Sequence, residues 1–240
     1  MKLKRLLLGT VLVLVGGAAG CMRGLDKTSN IPRSSGEEYM NFRETPGTLF
    51  PTDEAVLGGA NIEQILSSKL ALPQKGRLVV LPFGGRPTWD FWSDELEEAE
   101  RNLETGALAK LRACPRLSEV SLIPPLMMPQ KQSIPYLREA AARLQADLLL
   151  VYRRNSRVYE RVRIFAADKV RSKCLVEAIL LDVRTGIVPF AAQSTQHYQT
   201  QRTKTESEWA ETVAKAELKA YSLGLEAVAA DVVTFLQAAP

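Results

Sequence analysis

Three apolar, β-rich runs alternate with helical patterns in the middle of the chain, and this alternation restricts the fold more than any other feature. The runs occupy residues 77–83, 117–123 and 147–153. Between them, apolar residues recur at helical spacing over residues 94–113 and 133–145. Helices between consecutive strands are typical of parallel pairing with right-handed crossovers. This part of the sequence therefore predicts a βαβαβ core.

The next two β-rich runs are joined without a helix. They cover residues 170–183 and 187–198, with the tight turn Arg184-Thr185-Gly186 between them, so they pair antiparallel. A long helical pattern over about residues 206–237 ends the chain, and a short one over residues 61–72 precedes the first strand. The predicted fold is mixed α/β: a five-stranded mixed sheet in the order 2-1-3-4-5, helices on both faces, and a long C-terminal helix.

The first twenty residues have the layout of a secretory signal. Residues 1–5 are short and basic, residues 6–15 are nearly all apolar, and small residues lead to Cys21. Ten helical residues extend about 15 Å, half the thickness of a bilayer core, which is too short for a transmembrane helix. Residues 1–20 are therefore predicted to be a signal peptide.

The stretch Ala18-Ala19-Gly20-Cys21 resembles the lipobox of bacterial lipoproteins. The resemblance implies a diacylglycerol on the Cys21 thiol and a further acyl chain, such as palmitate, on the new amino terminus. Two or three chains make a firm membrane anchor. Met22 stands where the inner-membrane retention signal of enterobacterial lipoproteins has Asp, so the resemblance points to the outer membrane, facing the periplasm. The alternative is an ordinary signal-peptidase site that precedes a cysteine.

Residues 22–57 show neither helical nor strand periodicity and are rich in Gly, Pro, Ser and Thr. With the lipidated Cys21 they predict a flexible tether over residues 21–57, which carries a single domain over residues 58–240. A flexible chain of this length spans about 30–35 Å. The alternative is that Phe42, Leu49 and Phe50 dock the second half of the segment onto the domain.

Three motifs within the predicted domain resemble a set of bacterial envelope lipoproteins. They are LVVLPF at residues 78–83, ADLLLVY at residues 146–152 and LLDVRTG at residues 180–186. Here the chain is similar to the amino-terminal domain of TolB, to the penicillin-binding-protein activator LpoB and to the curli secretion protein CsgG. The resemblance covers about residues 75–235 and implies their α/β fold and a role as scaffold, activator or pore subunit. Its motifs mark strands and a turn, so it assigns no role to a particular residue.

The sequence contains little that catalysis or metal binding would need. His197 is the single histidine, and there is no G-x-S-x-G motif and no H-x-x-x-H or C-x-x-C spacing. Gly84-Gly85 follows a strand, but the glycine patterns of nucleotide sites are absent. The glutamate-rich start of the next helix would repel phosphate. We therefore expect no catalytic residue, no metal and no cofactor.

Two cysteines, Cys114 and Cys174, remain once Cys21 is lipidated. The oxidising periplasm permits a disulfide between them. However, the 2-1-3-4-5 order separates their strands by two others, or about 14 Å, which is too far for a bridge. We expect two buried thiols, with the disulfide as the alternative.

The most basic part of the sequence is residues 153–173, with eight basic residues against Glu160 and Asp168. This segment is predicted to be a long hairpin between the third and fourth strands. It is a candidate surface for anionic lipid headgroups, cell-wall carboxylates or an acidic partner. The alternative is a solvated hairpin whose arginines pair with acidic helices. The candidate residues are Arg153, Arg154, Arg157, Arg161 and Arg163.

An aromatic cluster, Trp89, Phe91 and Trp92, follows the carboxyl end of the first predicted strand. Ligands of α/β folds commonly bind at that edge of the sheet, and aromatic side chains are frequent anchors in interfaces. The cluster is thus a second candidate interaction surface. The alternative is core packing beneath a loop.

The positive charge of the chain is poor evidence for a nucleic-acid partner, and the predicted periplasmic location argues against one. The formal net charge is +4, but Lys2, Lys4 and Arg5 lie in the signal peptide, and the remainder has 28 basic against 27 acidic residues. We expect a non-catalytic, lipid-anchored binding or scaffold protein of the outer membrane, taking part in envelope assembly or secretion complexes. The alternatives are a CsgG-like oligomeric pore subunit and, less favoured, an envelope hydrolase.

Overall fold

A mixed β-sheet with helices on both faces organises the protein. The structure is a computed structural model that describes residues 38–44, 47–50, 58–68, 70–84, 94–161, 169–201 and 209–239. All of these residues belong to one unit, Ser35–Pro240.

The described strands are β1 (Glu38–Glu44), β2 (Gly76–Pro82), β3 (Leu117–Leu122), β4 (Leu148–Arg161), β5 (Lys169–Asp182) and β6 (Phe190–Gln201). The described helices are α1 (Gly59–Ser67), α2 (Asp94–Arg101), α3 (Thr105–Arg112), α4 (Ile134–Arg143) and α5 (Trp209–Ala238), and a short 3-10 helix spans Pro125–Met127.

The strands follow the order β3-β2-β4-β5-β6. β2 pairs in parallel with both β3 and β4, since helices connect these three strands. β4, β5 and β6 form an antiparallel meander. The predicted mixed sheet, its strand order, the helices on both faces and the long C-terminal helix are confirmed in these elements.

A sixth strand, β1, pairs antiparallel with β4. It lies on the same side of β4 as β2, because β2 pairs with residues 148–152 and β1 with residues 155–161. β1 comes from the segment predicted to be a tether, and the sequence pattern does not predict it. Residues 38–44 therefore agree with the alternative to a flexible tether, in which the second half of the segment docks onto the domain. The tether as a whole, with its boundaries, stays a prediction.

The helical pattern over residues 94–113 forms two helices instead of one. α2 ends at Arg101 and α3 begins at Thr105, with Leu103 and Glu104 both buried in the turn between them. In this turn the N–H groups of Leu103 and Thr105 donate to carbonyls three residues back. α1 is also shorter than its sequence pattern and has no buried residue.

The sheet is buried between two layers of helices over its parallel half. α3 and α5 cover one face, and α4 covers the other. Both faces of β2 and β4 are therefore buried here, which is why these strands are continuous apolar runs in the sequence. On the first face the core includes Leu78, Val80, Leu111, Leu150, Leu180, Leu218 and Val232. On the second it includes Val79, Leu81, Leu137, Ala141, Leu149 and Leu181.

The two helical layers differ in length. α5 has 30 residues, or about 45 Å, and contacts β4, β5 and β6. α4 has 10 residues, or about 15 Å, whereas β4 has 14 residues and extends about 46 Å. α4 can therefore cover only the first part of β4, and the rest of that face lies beyond its end.

The close packing of α5 on β5 depends on Gly224. A Cβ at this position would lie 2.6 Å from Val176 Cγ2, and Val176 is fully buried. We expect Gly224→Ala to destabilise the protein by about 1–3 kcal/mol, since the overlap must be relieved by strain. Gly59→Ala in α1 is the control, because a Cβ there meets nothing within 4 Å. Urea unfolding measures both.

Whether Gly224→Ala lowers or raises the free energy of unfolding distinguishes close packing from an open helix position. In an open helix position, Gly→Ala stabilises by up to about 1 kcal/mol through lower chain entropy in the unfolded state. A Gly224→Ala protein as stable as the wild type would contradict the close approach of α5 to β5.

Candidate functional site

Beyond the end of α4, one face of β4, β5 and β6 is covered by no helix in the described part of the chain. Strand residues point alternately to the two faces. Along β6 the odd-numbered residues are exposed and the even-numbered ones are partly buried under α5. We call the exposed side the open face. It comprises the odd-numbered residues of 153–159, 169–177 and 191–201.

Arg157, Lys173 and His197 lie side by side across the open face. The register places Arg157 opposite Lys173, and Lys173 opposite His197. Cβ atoms of directly opposite residues are about 4.5–5.5 Å apart, and like charges there are destabilising. Attraction across the strands therefore does not account for the Arg157–Lys173 pair. A bound anionic group would interact favourably with both cations, so the row is the centre of the candidate site.

The neighbouring rows add positive charge. Arg171 Nη2 donates a hydrogen bond to Gln199 Oε1 at 3.3 Å, and Arg153 Nε pairs with Glu177 Oε2 at 2.6 Å. With Lys169 included, the described side chains of the open face hold five basic groups and one acidic group. Their net charge is thus +4 with His197 neutral, which favours anionic partners.

A pocket of about 540 Å³ opens beside Arg153. Residues 47–50 form one wall, and Phe83, Val151 and Ile179 contribute apolar surface. Arg153 Nη1 donates to the Gly47 carbonyl oxygen at 2.9 Å, which ties this wall to the sheet. The volume falls in the range of small-ligand pockets. A basic face and an apolar pocket therefore lie next to each other.

Arg154 belongs to the opposite side of the sheet, although the sequence predicts it on the same surface as its neighbours. Its side chain is only 12% exposed, and Nη1 lies 3.5 Å from Glu217 Oε1. The guanidinium also stacks over the Tyr221 ring at 5.4 Å. The physical reason is strand alternation, which sends consecutive side chains to opposite faces.

Other predicted site residues lie outside what the structure describes. Trp89, Phe91, Trp92 and Arg163 are among them, and so is Cys21. Arg161 is described only by its backbone, which ends β4 opposite Lys169. Arg153 and Arg157 are the two predicted residues that the structure places together on the open face. Lys173 and His197 complete the row. Val158 and Val170 are apolar and even-numbered, so strand alternation could have predicted that the odd-numbered residues point to the opposite, exposed face.

A buried polar cluster lies between the sheet and its helices. Tyr152 donates a hydrogen bond to Glu104 Oε1 at 2.6 Å, and its ring packs at 6.3 Å from that of Tyr221. Burial, reinforced by the neighbouring Tyr221 and Glu104, raises the pKa of Tyr152 far above its ordinary value. Burial likewise raises the pKa of Tyr221. Both phenols therefore stay protonated at physiological pH.

Cys114 and Cys174 are buried and free, so the expectation of two buried thiols is confirmed. Burial raises the pKa of Cys174 to about 11, although the hydrogen bond from Ser156 and the charge of Arg154 oppose this. A thiol is nucleophilic as its thiolate. Cys174 is accordingly a packing residue at neutral pH.

Among the described residues, no three or more His, Cys, Asp or Glu side chains are grouped so as to hold a metal ion. Within the same ranges, no helix has the length and apolar character needed to cross a membrane.

No protein-family model matches this chain, and the search of curated proteins finds no match. The structure is similar to several solved bacterial structures. The PelC dodecamer of Paraburkholderia phytofirmans is 15% identical with a TM-score of 0.34, covering 85% of this chain and 100% of that chain. A candidate lipoprotein of Caulobacter crescentus CB15 is 11% identical with a TM-score of 0.36, covering 67% and 90%.

The C-terminal domain of LpoB from Salmonella enterica is also found, at 12% identity and a TM-score of 0.24, covering 56% of this chain and 90% of that chain. LpoB is one of the proteins that the strand and turn motifs resemble. The similar structures include one described as a lipoprotein and one that is named in that resemblance. Likenesses at these identities and TM-scores do not assign a function.

Proposed function

We propose that this protein is a non-catalytic, lipid-anchored binding module of the bacterial outer membrane, and that its open face holds an acidic envelope protein. The observation that carries the proposal is the row Arg157, Lys173 and His197, where the register sets two cations, Arg157 and Lys173, opposite each other on an exposed face, with His197 beside Lys173. An anionic partner would be attracted to these cations.

The pocket beside Arg153 favours a protein over a simple polyanion. Interfaces between proteins combine a small number of buried apolar anchors with a polar rim. Here an apolar pocket of about 540 Å³ adjoins the basic rows, and the Arg153–Glu177 pair stands between the two. A segment with an apolar side chain for the pocket and carboxylates for the rows would satisfy both parts.

The anchoring part of the proposal is supported by the lipobox pattern. Cleavage before Cys21 and acylation of its thiol would hold the domain at the periplasmic side of the outer membrane. In that position the open face would be available to other envelope proteins, and the protein would act as a scaffold in an assembly or secretion complex.

Charge reversal on the open face tests the proposal. We expect Arg157→Glu with Lys173→Glu to reduce recovery of the partner at least tenfold in affinity purification of the lipidated protein from crosslinked envelopes. Two contacts that turn from attractive to repulsive readily exceed the 1.4 kcal/mol that corresponds to tenfold in affinity. Quantitative mass spectrometry of the recovered proteins provides the measurement.

The control is Arg184→Glu with Lys219→Glu, which makes the same change in net charge at exposed sites away from the open face. It is expected to recover the partner as the wild type does. Recovery by the wild type is also expected to fall as salt is raised, since exposed charges are screened. An unchanged partner set in the open-face variant, with an unchanged melting temperature, would rule the proposal out.

A further inference from the structure

β6 is the last strand of the sheet and has a free edge in the described structure. It pairs with β5 over residues 190–201 in a continuous antiparallel register without a bulge. Among the described residues no other strand lies beside it. The free edge of a strand carries a row of unpaired N–H and C=O groups, which can pair with another chain.

The ladder identifies which backbone groups face outward. Val183 N–H donates to the Asp147 carbonyl at 3.0 Å, and the register puts these two residues opposite each other. Hydrogen-bonded pairs alternate along an antiparallel ladder. Odd-numbered residues of β5 therefore bond to β4, and even-numbered ones to β6. The N–H of Asp182, which donates to the Ile187 carbonyl, agrees with this assignment.

On β6 it follows that the even-numbered residues bond to β5. The odd-numbered residues point their N–H and C=O groups away from the sheet. These same residues have their side chains on the open face. The outward residues are Ala191, Gln193, Thr195, His197, Gln199 and Gln201.

β6 also lacks the features that protect natural edge strands. Such strands are commonly short, bulged, or marked by lysine, other charges or proline. β6 has 12 residues, FAAQSTQHYQTQ, with no Lys, Arg, Asp, Glu or Pro. A long, regular and uncharged edge is the form that strand addition requires.

We propose that β6 pairs antiparallel with β6 of a second copy of this chain, about a two-fold axis at Gln196. In this register the outward N–H and C=O groups of one strand face those of the other. The paired length is the greatest possible, because the first outward residue, 191, lies opposite the last, 201. The same register places Thr195 opposite His197, and Gln193 opposite Gln199, of the second copy. No pair joins two like charges, so the edge is complementary to itself, as a two-fold interface must be.

The distribution of charge favours a second copy of the chain at this edge over a strongly acidic strand, because the basic residues lie on β4 and β5 and not on β6. Side chains next to an added strand would be those of β6, which are neutral, so acidic residues would gain little there. The basic residues of β5 would lie about 14 Å from those of the second copy, at three strand spacings. This distance exceeds the screening length of about 8 Å at physiological salt, so the two open faces do not oppose pairing.

The arrangement goes beyond the proposed function. A two-fold axis perpendicular to the sheet keeps both open faces on one side, so the dimer would present two binding surfaces to a partner. Two linked surfaces bind a bivalent partner more tightly than either alone.

Engineered disulfides test the register. When one chain carries both Gln193→Cys and Gln199→Cys, the cysteine at position 193 faces the cysteine at position 199 of the second copy, and the reverse. The Cα atoms of such a hydrogen-bonded pair are about 5.5 Å apart, which suits a disulfide. The lipidated full-length protein is oxidised in membranes and run on a non-reducing gel. We expect a covalent dimer from the double variant and at least tenfold less from Gln193→Cys alone.

Proline and lysine substitutions test the edge itself. Thr195→Pro removes an outward N–H and no bond to β5, while Thr195→Val keeps that N–H as the control. Thr195→Lys with His197→Lys sets lysines opposite each other across the axis. Native mass spectrometry in mild detergent should show a dimer of the wild type. The dissociation constant of the dimer should be at least tenfold higher in the proline and double-lysine variants.

Several results would overturn the proposal. They are a monomeric wild type at 100 µM, an oligomer unchanged by the double-lysine variant, and a complex in which β6 pairs with a different protein. If Thr195→Pro fails to fold, the lysine and disulfide variants still decide the question. Partner recovery by the charge-reversal variant on the open face is a separate readout, so either proposal can fail alone.

Discussion

Arg154→Met is expected to destabilise the protein by about 3–5 kcal/mol, because it removes a cation that is ion-paired with a fully buried carboxyl group. Glu217 is 0% exposed, and Arg154 lies 3.5 Å from it with a side chain that is 12% exposed. Methionine preserves much of the arginine stem's volume, so the effect reports the charge. Urea unfolding followed by circular dichroism is the measurement.

The neighbouring arginine provides a matched control. Arg153→Met removes the cation of a shorter pair, Arg153–Glu177 at 2.6 Å, whose side chains are 41% and 36% exposed. We expect a loss below about 1 kcal/mol, since exposed ion pairs contribute little. The two residues are adjacent in sequence and alike in chemistry, so a larger cost at Arg154 reports its buried surroundings, although Arg153→Met also removes the hydrogen bond to Gly47.

The double variant separates the two sources of the cost. Arg154→Met with Glu217→Leu removes both buried charges, and replacing a buried pair with apolar side chains is often neutral. We expect this protein to be more stable than Arg154→Met alone. Equal losses for Arg153→Met and Arg154→Met would contradict the placement of Arg154 beneath α5.

The second large effect is expected at the centre of the sheet. Leu149→Ala should destabilise the protein by about 2–5 kcal/mol, through lost burial and the cavity left behind. Leu149 is 0% exposed, in the core cluster between β4 and α4. Thermal and urea unfolding measure the change.

Leu126→Ala is the control for this substitution. Leu126 is 97% exposed, so the same chemical change should alter the free energy of unfolding by less than about 0.5 kcal/mol. A small effect at Leu149 would contradict its position in the core. A large effect at Leu126 would reveal that this leucine is covered in solution.

Core strands were predictable because burial leaves a local signature. Residues 78–81 and 148–151 are buried on both faces, so each forms an unbroken apolar run. Connections of helical pattern between such runs determine the parallel order, and the short turn at Gly186, where φ is 78°, determines the antiparallel pair. Local signals were sufficient for these elements.

β1 was not predictable in the same way. Its register joins Glu38 to Arg161, two residues far apart in the chain, and its own sequence has no clear alternation. A strand of this kind exists because β4 extends beyond β2 and leaves part of its edge available. That condition is set by the length of β4, which the apolar run at its start does not show.

The sequence by itself determined the mixed α/β sheet, its strand order and the basic character of the hairpin. Only the tertiary structure decided which of those basic residues face solvent. Arg153 and Arg157 lie on the open face because α4 is too short to cover it, whereas Arg154 lies under the long α5, next to Glu217. Composition and periodicity report local preferences. The exposure of a strand face depends on the length and position of helices that are distant in sequence.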